Sequence, residues 1–354
     1  MSPLEVIEAN DPLENLIELR TSVVFEMVIS LQTLIRPAKN VDWVERVRST
    51  MGDDFYEEAL ALYEPFYEGC VLVELGIDSP DYDDVPAFLD YVAAMDAVTL
   101  VYYLLGRVFS LDKIASVPMD STSIEAMAMA HPKYDDFSCL QIDYGWVDDL
   151  PGLQRRLINL WRWYWEGFFA AEVDSLRPHW QNSLQEKRLI LEQEGGQALY
   201  EHITGRAELP TQIPERALTE EIIMIPLHLF PRQVFTIFGY GNVTIFYNDQ
   251  RTRRRIAERE EFMYALLNTL RSLGDETRLR ILQRIAQEDG KLNGKVLANK
   301  LGLSTSVVSR HLSQLREGGL IVEVPTDSRR INYRLQFETI KELPDHLLEL
   351  LLGQ

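Results

Sequence analysis

Apolar positions recur at helical spacing through most of this chain and give way to short β-type runs in two places. Ile17 to Leu34 predicts a first long helix, with Val24, Met27, Val28, Leu31 and Leu34 on one stripe, and Pro37 to Asn40 interrupts it. Val41 to Arg48 and Asp53 to Tyr67 predict further helices. Tyr82 to Pro86 is a turn-rich break, and Ala87 to Phe109 is helical again through Leu89, Val92, Ala93, Asp96 and Leu100. Leu153 to Phe169 is dense in aromatic residues, and Glu172 to Glu194 continues helically past a boundary. The pattern then changes. Ile222 to Ile225, Val234 to Phe238 and Val243 to Tyr247 are β-rich, with Pro226 and Pro231 between the first two and a tight turn expected at Gly239 to Asn242. The expectation for residues 1–250 is a mainly helical domain closed by a small antiparallel sheet that ends in a β-hairpin.

Helical periodicity resumes after Gln250 to Ile256, whose arginines mark a linker or a helix start rather than a further phosphate contact. Glu261 to Leu273 is a helix, and Asn293 to Leu301 a short one with Val296, Leu297 and Leu301 on one face. Gly302 supplies a tight turn, Leu303 plugs the core from within it, and Ser304 is an N-cap for a helix reaching Glu317. Val307, Val308, Leu312 and Leu315 face inward there, and Gly318 and Gly319 end it. Two strands follow, Leu320 to Val324 and Ile331 to Leu335, joined by a loop with Arg329 and Arg330 at its tip. This order is that of a winged helix-turn-helix. Each signal alone also fits an ordinary solvated helix or hairpin; the order and spacing together favour nucleic acid. Hydroxyls, an amide and guanidiniums on the outer face suit phosphate oxygens and base edges in a major groove. The candidate DNA-binding residues are Ser304, Thr305, Ser306, Ser309, Arg310, His311, Gln314, Arg329 and Arg330, His311 being a residue that either contacts phosphate or packs.

Gly274 to Leu335 resembles the winged-helix domain of the ArsR family of bacterial transcriptional regulators. LGDETRLRILQRI (Leu273 to Ile285), GLSTSVVSRHLSQLREGGLI (Gly302 to Ile321) and RRINYRL (Arg329 to Leu335) carry the resemblance. It implies homodimers on imperfect palindromes in promoter DNA and favours repression. Ile17 to Tyr67, through SVVFEMVISLQTLIRP and VDWVERVR, resembles an uncharacterised N-terminal domain fused to ArsR-type winged helices. One departure matters. Metal-sensing members carry paired cysteines before the turn, whereas this chain has NGKVLANKLG there. Cys70 and Cys139 lie far upstream, and the six histidines (His131, His179, His202, His228, His311 and His346) lack ligand spacing. No metal and no cofactor is expected, and the resemblance points to the metal-independent branch.

Charge and composition sharpen this picture. The formal net charge is -20, yet Arg251 to Arg334 holds 17 Lys+Arg against 10 Asp+Glu, so basic charge gathers where the motif lies. Two cysteines fit a reducing compartment, and no apolar run reaches the length of a membrane span, so a soluble cytoplasmic protein is expected. No glycine-rich phosphate loop, nucleophile elbow or HExxH motif argues for an enzyme, and the carboxylates Asp81, Asp83, Asp84, Asp148 and Asp149 suit solvated turns better than a cation site. Two roles lead upstream, with an enzyme domain fused to the DNA-binding module as a lesser third. One is a small-molecule sensor with a pocket at Trp161, Tyr164, Trp165 and Phe168; the other is a scaffold, with those rings as plain core, that dimerises or recruits a protein partner. Homodimerisation is expected through Phe262, Leu266 and Leu270 with Leu343, Leu347 and Leu351.

Overall fold

Glu221 to Pro226 shows why the first domain is layered as it is. Its run of Ile222, Ile223, Met224 and Ile225 does not alternate, and a strand apolar on successive residues must be covered on both faces. The computed structural model describes Leu13 and residues 15–35, 40–130, 144–207, 221–238, 242–288, 291–325 and 331–352. Strands β1 (Ile17–Leu19), β2 (Glu221–Pro226), β3 (Val234–Phe238) and β4 (Asn242–Tyr247) form one sheet in the order β1-β2-β4-β3. β3 and β4 pair antiparallel, as the sequence predicts, but β2 pairs parallel with both β1 and β4. The sheet is therefore mixed. Ile223, Ile225 and Phe246 enter the main core, while Ile222, Met224, Val243 and Ile245 pack with Leu199, Tyr200 and Ile203 on the other side.

The predicted first long helix is three elements. Ile17–Leu19 is the edge strand β1; α1 (Val23–Ser30) and α2 (Gln32–Ile35) follow. Ser22 caps α1, its Oγ accepting from Phe25 N at 3.0 Å and donating to Tyr82 O at 2.9 Å. All eight residues of α1 are buried, as expected of a helix apolar on every side. Around it lie α3 (Val41–Met51), α4 (Asp53–Tyr63), α5 (Val85–Ala93) and α6 (Ala97–Leu104), then the short α7 (Leu111–Ala115) and α8 (Ser121–Met129). α9 (Leu150–Tyr164) runs through one π turn, Trp165–Phe169, into α10 (Ala170–Glu194), so the boundary expected after Phe169 is a widened turn in a continuous helix. α11 (Gly196–Thr204) covers the outer face of the sheet.

The acidic turns act as caps. Asp84, Asp96 and Asp149 cap α5, α6 and α9; Asp83 accepts from Val23 N at 3.1 Å, and Asp148 binds both the N–H and the hydroxyl of Ser121. Among the described residues, no single helix is long and apolar enough to cross a membrane.

The chain divides into two compact units, residues 1–252 and 253–354. The second contains most of α12 (Asp249–Leu273), then α13 (Glu276–Glu288), β5 (Leu292–Asn293), α14 (Gly294–Leu301), α15 (Thr305–Glu317), β6 (Ile321–Pro325), β7 (Ile331–Leu335) and α16 (Phe337–Leu352). QRTRRRI is the start of α12. Its three strands pair antiparallel in the order β5-β7-β6, and its core gathers Ile281, Ile285, Leu297, Val308, Leu312 and Leu315 from α13, α14 and α15.

Candidate nucleic-acid interface

Local chemistry fixes the turn between α14 and α15. Asn293 caps α14, its Oδ1 accepting from Lys295 N and Val296 N. Gly302 ends that helix at φ +66°, a conformation open to glycine at no steric cost. Leu303 N then bonds back to Ala298 O at 3.0 Å, and its side chain packs on the core. Ser304 caps α15, its Oγ accepting from Val307 N. Val308, Leu312 and Leu315 face inward.

The opposite face is polar and open. Ser304, Thr305, Ser306, Ser309, Arg310 and Gln314 are exposed. Among the described residues Arg310 has no hydrogen-bond or ion-pair partner, so its guanidinium offers its whole donor fork outward. His311 does not belong to this face. It is 8% exposed and sits between Val308 and Leu315 on the buried stripe, so of the two roles expected of it, packing is the one it takes. Arg316 reaches β6, where it pairs with Glu323 at 2.6 Å. Arg329 and Arg330 lie outside the described residues, as does the turn expected at Gly239 to Gly241.

Sequence reasoning missed what holds α15 in place. The last turn of α12 leaves carbonyls without intrahelical donors. Arg278 supplies them: its Nε donates to Ser272 O and its Nη2 to Arg271 O, both at 2.7 Å. Its Nη1 donates to Gln314 Oε1 at 2.8 Å, joining the end of α12 to α15. Ser272 Oγ donates to Gln314 O at 2.9 Å and Thr269 Oγ1 to Gly318 O at 2.8 Å. Gly318 makes this approach feasible, since a Cβ there would stand 2.5 Å from Ser272 Oγ. Asp275 caps α13; the Arg278 backbone N–H it accepts holds its carboxyl below the ordinary carboxylate range. The missed signal was local: hydroxyls at the end of a helix, then Asp275 followed three residues later by Arg278. Beside these contacts an open cleft of about 460 Å³ separates α12 from the C-terminal half of α15.

This geometry is that of a winged helix-turn-helix. Residues 274–322 match the winged helix-turn-helix DNA-binding family. They form a winged helix-turn-helix domain. No curated protein matches the chain.

The remaining expected site residues fall into two groups. On the flanking helices, Leu266 is buried within its own unit, Phe262, Leu270, Leu343 and Leu347 are half-buried, and Leu351 is 70% exposed. Phe262 meets His346 edge-on at 5.1 Å, so α12 and α16 pack side by side there. Leu267 and Leu348, which the same helical stripes carry, are exposed, and Tyr264 and Phe337 add exposed apolar surface outside them. In the first unit Trp161 and Tyr164 are fully buried, Phe168 is buried and Trp165 half-buried. Rings fill the space between them: Phe88 lies on Trp161, Phe55 and Phe168 stack on either side of Tyr164, and Trp43 meets Phe168 edge-on. Trp161 Nε1 donates to Tyr63 Oη at 2.8 Å, and Tyr164 Oη pairs with Ser30 Oγ at 2.9 Å. Trp161, Tyr164 and Phe168 are interdigitated core, with the polar tips of Trp161 and Tyr164 bonded to other core groups, and Trp165 packs against that core.

Proposed function

We propose that this protein is a sequence-specific, double-stranded-DNA-binding transcriptional regulator. The observation that carries the proposal is the exposed run Ser304, Thr305, Ser306, Ser309 and Arg310 on a helix whose opposite face is locked into a winged-helix core. In this reading α15 enters the major groove, Arg310 makes a strong contact, and Arg329 and Arg330 add backbone affinity from the wing. The resemblance to the ArsR family supports a metal-independent cytoplasmic repressor that occupies a palindromic promoter site. The exposed apolar residues of α12 and α16 support homodimerisation through those helices. Two-fold pairing sets the reading helices about 34–36 Å apart and so requires a palindrome.

For the first unit the close-packed aromatic cluster favours the scaffold role over a sensor built on those rings. A protein partner or a ligand elsewhere in the unit would act on DNA binding only through unequal affinity for two states of the regulator.

The test starts from a random-sequence duplex library presented to the full chain. A palindrome should be enriched. On the selected duplex Arg310→Ala should cost about 1–3 kcal/mol if Arg310 reads a base, with little loss on scrambled DNA; equal losses on both identify a phosphate contact. Failure to enrich any sequence overturns the proposal.

A further inference from the structure

Gln314 stands on the flank of α15, exposed, yet one side of its amide is already engaged. Arginine carries donors only, so the amide atom that faces Arg278 Nη1 at 2.8 Å must be the carbonyl oxygen. Arg278 itself is held by Ser272 O and Arg271 O at 2.7 Å, and its side chain is 13% exposed. A guanidinium fixed on two backbone carbonyls is a rigid platform, and it sets the rotation of the Gln314 amide.

We infer that Arg278 is a positioning residue for DNA reading, which fixes the rotation of the Gln314 amide so that its N–H donors, turned from the guanidinium, are presented to the DNA. This rests on the DNA-binding reading above and adds a specificity to it. A free glutamine reads adenine with both its oxygen and its nitrogen. Arg278 takes one of the two lone pairs of Oε1 and fixes the amide's rotation, which biases Gln314 toward donating. The partners this favours are acceptors: guanine O6 or N7, thymine O4, or a phosphate oxygen. The same guanidinium ties the angle of α15 to the last turn of α12, because Ser272 Oγ holds Gln314 O at 2.9 Å beside it.

The experiment uses the full chain and the duplex selected from the random library. Affinity and melting temperature are measured for the parent, Arg278→Lys, Gln314→Ala and the double variant. Lysine keeps the charge but cannot satisfy three acceptors in a fixed fork. Arg278→Lys should weaken binding about five- to tenfold in the parent background and not at all beside Gln314→Ala, a non-additivity expected of residues acting as one unit. Its cost in melting temperature should be the same in both backgrounds, since the carbonyls of Arg271 and Ser272 lose their donors either way. Weakening of equal size with and without Gln314 overturns the inference, as does no weakening. Gln314→Glu supplies a second arm: it keeps the contact to Arg278 and removes the N–H donors. It should retain the parent melting temperature and lose affinity; parent-like affinity overturns the inference. If the parent enriches no sequence at all, the DNA-binding reading fails first and this inference falls with it.

Discussion

The two units solve the burial problem in opposite ways. The first wraps an entirely buried helix, α1, in helices and a sheet, and its largest core side chains include Trp161, Trp180, Tyr63 and Tyr164. It even buries ionic groups and partners them: Glu74 with Arg107 at 2.6 Å, and Lys187 with Asp249 at 2.6 Å. The second closes a small aliphatic core and leaves Tyr264, Phe337, Leu348 and Leu351 more than half exposed. The first unit also leaves Val41, Met129 and Trp163 exposed, but the second carries most of its large exposed apolar residues together on two flanking helices, α12 and α16, a surface suited to being covered.

The contrast is broken most severely in the first core. Trp161→Ala should destabilise that unit by about 3–5 kcal/mol in a denaturant titration, because it opens a cavity and removes the donor to the Tyr63 hydroxyl, which keeps only its own bond to Val28 O. Leu351→Ala in the second unit should leave the transition of a monomeric chain nearly unmoved. Equal losses at the two sites would erase the distinction.

A second prediction concerns Glu26, whose carboxylate accepts from Trp180 Nε1, His228 N and Leu229 N, each at 2.7 Å. Burial lifts its pKa from 4.5 to about 7, against the pull of those donors. The unfolded chain ionises first as pH rises, so this contribution to stability is complete below 4.5 and is lost as pH climbs through about 7. His228 acts in the reverse sense: burial, then the neighbouring His179, lower its pKa from 6.5 to about 4, so its contribution is present above 6.5 and lost toward 4. The two oppose each other between 4.5 and 6.5. Relative to the parent, Glu26→Gln should gain stability with rising pH across that window, and on the order of 3 kcal/mol is at stake. His228→Asn should instead lose stability with rising pH relative to the parent. Parallel profiles for all three proteins would remove both groups from the pH response.

Pairing is the third. Leu348→Asp with Leu351→Asp should turn a dimer near twice 40.9 kDa into a monomer by light scattering, with the folded winged helix retained by circular dichroism. A parent that is already monomeric at micromolar concentration, DNA included, sinks the dimer. The smallest expected effect lies at the wing: replacing Arg329 and Arg330 should reduce the slope of log K against log salt by up to about two. An unchanged slope places both away from the DNA backbone.

How far the sequence reveals each unit follows from the range of the interactions that make it. The reading module is written in local signals. Asn293, Gly302 and Ser304 cap or turn the residues beside them, and a stripe at helical spacing marks the buried face. That stripe also includes His311, three residues past Val308 and four before Leu315, so its burial was legible from spacing. The first unit depends on partners far along the chain. β1 pairs with β2 across some two hundred residues (Ile17 with Ile222), and nothing near Ile17 announces a parallel neighbour. Ile17 to Leu34 therefore looks like one helix, although Ser22 three residues before Phe25 is a cap signal that splits it. The unbroken apolar run of β2 likewise marks a strand covered on both faces, which an antiparallel hairpin alone does not need. The bond from Arg278 to Gln314 escaped for the same reason, since it joins positions 36 residues apart, although the bonds of Arg278 to Arg271 and Ser272 are local.

The close passage of α12 over Gly318 sets a limit on how this protein can be recoded. Residues from Ser304 to Ser313 face outward or into their own core, so their outward side chains can be exchanged as a cassette. From Gln314 onward the helix is threaded into the hydroxyls of Thr269 and Ser272. A donor sequence grafted past that point must bring a glycine at 318 or carry its own α12 with it. The segment of α15 open to exchange is thus shorter than the helix that bears it, and its usable end is fixed by a neighbouring helix.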